Sequence, residues 1–122
     1  MINNKIYQSI FNEILPFLPD KWEKVIVYLE QSEYAYTYSF YVKTNNCYIK
    51  CFNLGINENE LLNAFERINK KVSAERNKFK NRWSNMTMVV DAAGHMKTDF
   101  DYTDLTQNKY QYKKEWKNKY LK

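Results

Sequence analysis

Between residues 4 and 17 the apolar positions fall at Ile6, Ile10 and Ile14, with Tyr7 and Phe11 beside them. A spacing of four keeps one face of an α-helix apolar, so this stretch predicts an amphipathic helix. Asn3 or Asn4 can cap its start, and Pro16 and Pro19 end it. Leu18-Pro19-Asp20 then turns the chain. From Lys24 the period changes to two. Val25, Val27 and Leu29 share one face of a strand that runs to Gln31. Tyr34 to Lys43 alternates Tyr34, Tyr36, Tyr38, Phe40 and Val42 against the smaller Ala35, Thr37 and Ser39, and Cys47 to Leu54 reads as a third strand. Gln31-Ser32-Glu33 and Thr44-Asn45-Asn46 have the composition of turns, so the three strands form an antiparallel meander.

Asn57-Glu58-Asn59-Glu60 has the form of a capping box. The helix it opens places Leu61, Phe65, Ile68, Val72 and Phe79 on one face and ends near Asn81, with Arg67, Lys70, Lys71, Lys78 and Lys80 on the other. A fourth strand covers Asn85 to Asp91, Ala92-Ala93-Gly94-His95 forms a hairpin turn, and Met96 to Asp101 is the fifth strand. A last helix runs from about Gln107 to Leu121, with Tyr112, Trp116 and Tyr120 at i, i+4 and i+8. The order α-β-β-β-α-β-β-α predicts an α+β domain: one antiparallel five-stranded sheet with helices packed on it.

Composition narrows the class. A chain of 122 residues fits one domain, 1–122, and an aromatic share of 17% with 44% hydrophobic residues describes a folded domain, not a disordered one. Mean hydropathy is low (-0.75) because Lys and Asn abound. No stretch approaches the roughly 18 apolar residues of a membrane span, and Met1 to Lys5 does not open a signal-peptide core, so the cytoplasm is the expected location. Cys47 and Cys51, on one strand, would lie about 13 Å apart, beyond the ~7 Å a disulfide bridges. They read as two small apolar residues on one strand face.

The net charge of +5 is unevenly spread. Residues 1–66 carry −3, residues 67–82 carry +6, residues 83–108 carry −3 and residues 109–122 carry +5. Two positive segments are therefore set in an otherwise acidic chain.

Little of this is catalytic chemistry. His95 is the only histidine and falls in a turn, which leaves a nucleophile without an obvious base. With 2 glycines, no phosphate-cradling loop can form. Asp91, Asp99, Asp101 and Asp104 raise Mg²⁺ binding or acid–base work, but Asp99 and Asp101 alternate with inward-facing residues, as on a solvated or partner-facing sheet surface. No metal or cofactor is expected. The basic residues Arg67, Lys70, Lys71, Arg76, Lys78, Lys80 and Arg82 support a second reading, a small nucleic-acid-binding module that neutralises phosphates with its basic helices.

Three stretches resemble the YezG-like immunity proteins. The first is Leu18-Pro19-Asp20-Lys21-Trp22-Glu23-Lys24, continuing to Tyr28-Leu29-Glu30. The second runs from Trp83, Met86 and Thr87 through Gly94 to Asp99-Phe100-Asp101-Tyr102. The third is the closing Trp116-Lys117-Asn118-Lys119-Tyr120-Leu121. The resemblance implies a cytoplasmic, non-enzymatic antitoxin of a Gram-positive bacterium. Its partner would be the C-terminal nuclease domain of a toxin exported by a type VII secretion system. A nuclease groove is positive, so acidic residues favour fast and specific encounter. Charge alone then nominates Glu30, Glu33, Asp99, Asp101 and Asp104 as partner-binding residues. Trp22, Trp83, Trp116 and Tyr120 are assigned to the core. A net charge of +5 sits awkwardly with such a partner, and whether the chain self-associates is left open.

Overall fold

The computed structural model describes residues 4–33, 35–78 and 80–122. The roles expected of Asn3, Tyr34 and Phe79 lie outside the described residues. Strand β1 (Lys24–Gln31) is buried at seven of its eight positions. A strand with one wet face would alternate, so continuous burial means that both faces of the sheet are covered here. β2 (Tyr36–Thr44) pairs with it on one side and β4 (Asn85–Asp91) on the other. β3 (Cys47–Lys50) and β5 (Met96–Asp101) form the edges, giving the order β3-β2-β1-β4-β5 with every neighbour antiparallel. This is the expected sheet and the expected element order.

Helices α1 (Asn4–Ile14) and α2 (Glu58–Arg76) cover one face. Val25, Val27, Leu29, Phe40, Val42, Met86, Met88 and Val90 meet Ile10, Ile14, Leu61, Phe65, Ile68 and Val72 there, and Trp83 closes one end. Asn57 caps α2 by accepting a hydrogen bond from the Glu60 amide at 3.0 Å, which satisfies one of the donors that a helix start leaves unpaired.

Two boundaries differ from expectation. α2 stops at Arg76, not near Asn81. The Arg76 guanidinium turns inward, donates from Nε to the Trp83 carbonyl at 2.7 Å and from Nη2 to the Gln31 carbonyl at 3.4 Å, and lies 5.4 Å from the Trp83 ring. Lys78 and Lys80 therefore sit past the helix, in the connection to β4. β3 ends at Lys50 because Cys51–Asn53 fold into a 3₁₀ turn, closed by the Leu54 amide donating to the Cys51 carbonyl. That turn sends Cys51 into the core while Cys47 stays exposed, so the two cysteines do not share a strand face.

The hairpins use suitable residues. Asn45 and Asn46 both take positive φ (52° and 61°), a conformation that asparagine tolerates better than most residues. At the other hairpin, Asp91 Oδ1 accepts from the Ala93 and His95 amides, and Gly94 supplies φ +95°. His95 is exposed there, its Nδ1 3.1 Å from Asp91 Oδ2. No described helix is long and apolar enough to cross a membrane.

Candidate functional site

The second face of the sheet has a different chemistry. The registers set it out in rows, from β2 to β5. One row reads Thr37, Glu30, Asn85, Asp101; the next Ser39, Tyr28, Thr87, Asp99; the next Tyr41, Ile26, Val89, Lys97. Only the last is largely apolar, so a helix landing here needs polar as well as apolar contacts.

That helix is α3 (Lys109–Tyr120). Its N-cap residue, Asn108, is left-handed (φ 60°) and makes no side-chain capping bond. Twelve residues without a cap are marginal as a helix in water, so packing must hold α3 in place. Trp116 is the anchor. It stands edge-on to Tyr28 with ring centres 4.9 Å apart, packs on Tyr41 at 5.5 Å, and donates from Nε1 to Thr87 Oγ1 at 2.8 Å. One turn to either side, Tyr112 Oη donates to Asp101 Oδ2 at 3.0 Å and Tyr120 Oη to Asp99 Oδ2 at 2.9 Å. Charge-assisted bonds of this kind are stronger than neutral ones.

These contacts shift the groups that make them. Burial, then the hydrogen bond to Asp99, pushes the Tyr120 phenol up to about 12. Burial, then the bond to Asp101, raises Tyr112 as well. Partial burial also pushes the Asp101 carboxyl up, but hydrogen bonds from the Thr103 side chain and amide and from Tyr112 outweigh it. The net effect holds Asp101 below the ordinary carboxylate range. Asp104 is held low too, first by the Thr106 amide and then by the Thr106 hydroxyl.

α3 divides this face into two flanks. Towards β5 lies a polar cleft of about 210 Å³ between Asp99, Asp101, Glu115, Tyr112 and Tyr120. Towards β2 lies a wider groove of about 360 Å³ lined by Lys109, Lys113, Lys114, Lys117, Tyr110, Thr37 and Glu30. Lys113 reaches over the Tyr28 ring, its Nζ 4.8 Å from the centre. Burial, then the charges of Lys50 and Lys117, lowers its pKa.

The five nominated residues occupy different settings. Asp99 and Asp101 line the same cleft, each bonded to a tyrosine of α3. Glu30 is 9% exposed on the other flank. It accepts from the Tyr28 hydroxyl at 2.5 Å and pairs with Lys109 at 3.2 Å. Asp104 is exposed in the loop after β5, and Glu33 is exposed in the β1–β2 turn. Thus the structure groups Asp99 with Asp101, and leaves Glu30, Glu33 and Asp104 apart from them. Asp91 keeps to its own turn, and the described residues hold no group of three or more His, Cys, Asp or Glu side chains placed for a metal.

The aromatic assignments divide similarly: Trp83 and Trp116 are buried, Trp22 and Tyr120 partly so. Of the basic residues behind the nucleic-acid reading, Arg76 is buried, Arg67 and Lys71 pair with Glu13, and Lys78 pairs with Glu75. Lys70, Lys80 and Arg82 are exposed cations with no ion pair among the described residues. The lysine groove was visible in the sequence only as a +5 segment, since helical wheels do not say which flank meets a strand. The phenols of Tyr112 and Tyr120 were equally hidden as partners of the acids.

A family model described as "Immunity protein YezG-like" matches residues 3–122. Among curated relatives, "Immunity protein YezG" of Bacillus spizizenii is 29% identical over 114 aligned residues, covering 82% of this chain and 68% of the relative. "Immunity protein YezG" of Bacillus subtilis is 25% identical over 113, covering 82% and 73%.

Proposed function

The chain belongs to the YezG-like immunity protein family, and from that membership we propose that it is a non-enzymatic antitoxin that binds and inhibits a cognate secreted nuclease toxin. The family match over 3–122 carries the proposal; an immunity role entails a toxin partner. The partner is the C-terminal nuclease domain of a toxin that leaves by type VII secretion, and the protein acts as a single domain in the cytoplasm of the producing cell.

Inhibition by such a protein is steric and electrostatic: a rigid surface covers the nuclease site, and carboxylates take the places of phosphates. Asp99, Asp101 and Asp104, with Glu33 and Glu30, are the partner-binding acids in this reading. Their settings refine it. Glu33 and Asp104 are exposed, so they steer the encounter. Asp99 and Asp101 are already ordered by the tyrosines of α3, so little side-chain entropy is lost when a cation reaches them. Glu30 is nearly buried and acts by fixing Lys109.

The test is co-purification of the tagged protein with the toxin encoded beside it, followed by a nuclease assay. A stoichiometric complex with suppressed cleavage is expected. The double variant Glu33→Lys and Asp104→Lys should stay folded and bind about 10-fold more weakly, chiefly through slower association. Absence of any complex with the wild-type protein overturns the reading. Undiminished binding and protection by the double variant overturn the interface assignment.

A further inference from the structure

The acidic interface leaves the positive charge of the protein unexplained, and the groove between α3 and β2 addresses it. Lys109, Lys113, Lys114 and Lys117 line one side of it. Lys109 is paired with Glu30, while Lys114 and Lys117 have no carboxylate partner among the described residues. Lys113 is half-buried against Tyr28, so its charge is less hydrated than that of a surface lysine and interacts more strongly with an approaching anion. At the mouth stands Tyr110, 82% exposed. An aromatic side chain held out in water at the rim of a shaped groove is the residue type that protein interfaces favour.

We propose that this lysine groove engages a carboxylate-bearing segment of the same toxin partner, so that the interface straddles α3 with acid on the β5 flank and base on the β2 flank. The inference rests on the immunity reading and deepens it. The charge pattern favours an acidic polypeptide over nucleic acid. Lys109 to Lys117 spans about 12 Å of helix, room for two or three acidic side chains. A nucleic-acid strand presents a charge every ~3.4 Å and continues beyond the groove. Across α3 it would meet Asp99, Asp101 and Glu115. A partner surface with carboxylates facing the lysines and cations facing β5 has no such conflict. It also accounts for a toxin inhibitor that is positive overall, because its charge is split across one helix.

The experiment uses the full chain and the double variant Lys114→Glu and Lys117→Glu, whose wild-type side chains are exposed and have no carboxylate partner among the described residues, with circular dichroism to check that α3 stays folded. Affinity for the purified toxin domain should fall by about 30-fold or more in that variant and hold in Lys114→Arg with Lys117→Arg. Wild-type affinity in the Glu variant overturns the inference while leaving the immunity reading intact. A loss confined to binding of a DNA duplex, with toxin binding unchanged, overturns it in favour of nucleic acid. A second readout does not depend on the toxin. Titration with a deca-glutamate peptide, followed by NMR, should perturb Tyr110, Lys113 and Lys117 in the wild type and not in the Glu variant. No perturbation there overturns the inference. Perturbation together with no toxin complex supports the groove and overturns the immunity reading.

Discussion

The two faces of the sheet are built on opposite principles. The face under α1 and α2 is closed by side chains such as Phe40, Leu29 and Met88, all fully buried, against apolar ridges of two helices. The face under α3 is closed by a single helix, where Ile26, Tyr28, Tyr41 and Trp116 form a small buried cluster flanked by tyrosine–carboxylate bonds. One face resists change because burial is non-directional and summed over many residues. The other depends on a few directional contacts and so responds to point changes in charge. A protein that needs a rigid body and a selective surface is served by that division, with the proposed partner-facing groups on the polar side.

The contrast predicts its largest effect on the apolar face. Phe40→Ala should cost about 3–5 kcal/mol, because a cavity opens where Phe65 can follow only partly. Urea unfolding monitored by circular dichroism and by tryptophan fluorescence should shift as one transition. Two separated transitions would mean that the faces do not share one cooperative unit.

Alkaline pH should act on the other face, and next most strongly. The Tyr120 phenol titrates near 12 in the fold, and Tyr112 is also raised from the ordinary value of 10. A raised pKa means that the fold favours the protonated phenol. Its contribution is therefore complete below pH 10 and is lost as pH rises through about 12. Each ionised phenol would also face a carboxylate. Amide exchange of α3 should accelerate across that window, in step with tyrosinate absorbance, while β1 stays protected. Simultaneous loss of β1 protection would show that α3 cannot leave without global unfolding.

Tyr120→Phe at neutral pH removes one donor and leaves the ring stacked on Trp116, 5.3 Å away. About 1.5 kcal/mol is expected, read as faster exchange confined to the last turns of α3. A cost near zero would assign the docking of α3 to Trp116 and Tyr112.

The apolar face was largely legible in the sequence and the polar face was not, for a physical reason. Val25, Val27 and Leu29 announce their shared face through a period of two, and Leu61, Phe65, Ile68 and Val72 announce theirs through helical spacing, so each needs only its own segment. Asp99 and Asp101 read as solvated because they alternate with inward residues. What covers them is a helix from a later segment, and periodicity carries no information about which surface a helix lands on. Trp116, Tyr112 and Tyr120 revealed a stripe but not its target. Ile26 and Tyr28, apolar on the supposedly outer side of β1, were the signal that a cover was needed. Arg76 misled for a related reason: a guanidinium that pairs with two carbonyls looks like surface charge until the tertiary fold supplies them.

The smallest effect tests whether polar contacts matter equally on both faces. Glu13 of α1 accepts from Arg67 Nε at 2.9 Å and lies 3.3 Å from Lys71 Nζ, both on α2. Burial pushes its carboxyl up, yet the bonds from Arg67 and Lys71 hold it below the ordinary range. Its stabilising contribution is therefore present above the unfolded carboxylate pKa and fades as pH falls through the folded one. Arg67 and Lys71 are 53% and 40% exposed, so water screens the pair and competes for both cations. Glu13→Gln should then cost less than about 1 kcal/mol, smaller than Tyr120→Phe although it breaks two contacts where the tyrosine loses one. Comparison of the two variants in the same buffer, with and without added salt, decides the matter. Equal costs, or a salt-insensitive loss in Glu13→Gln, would mean that α1 and α2 are also locked by charge, and the division between an apolar body and a charge-tuned surface would fail.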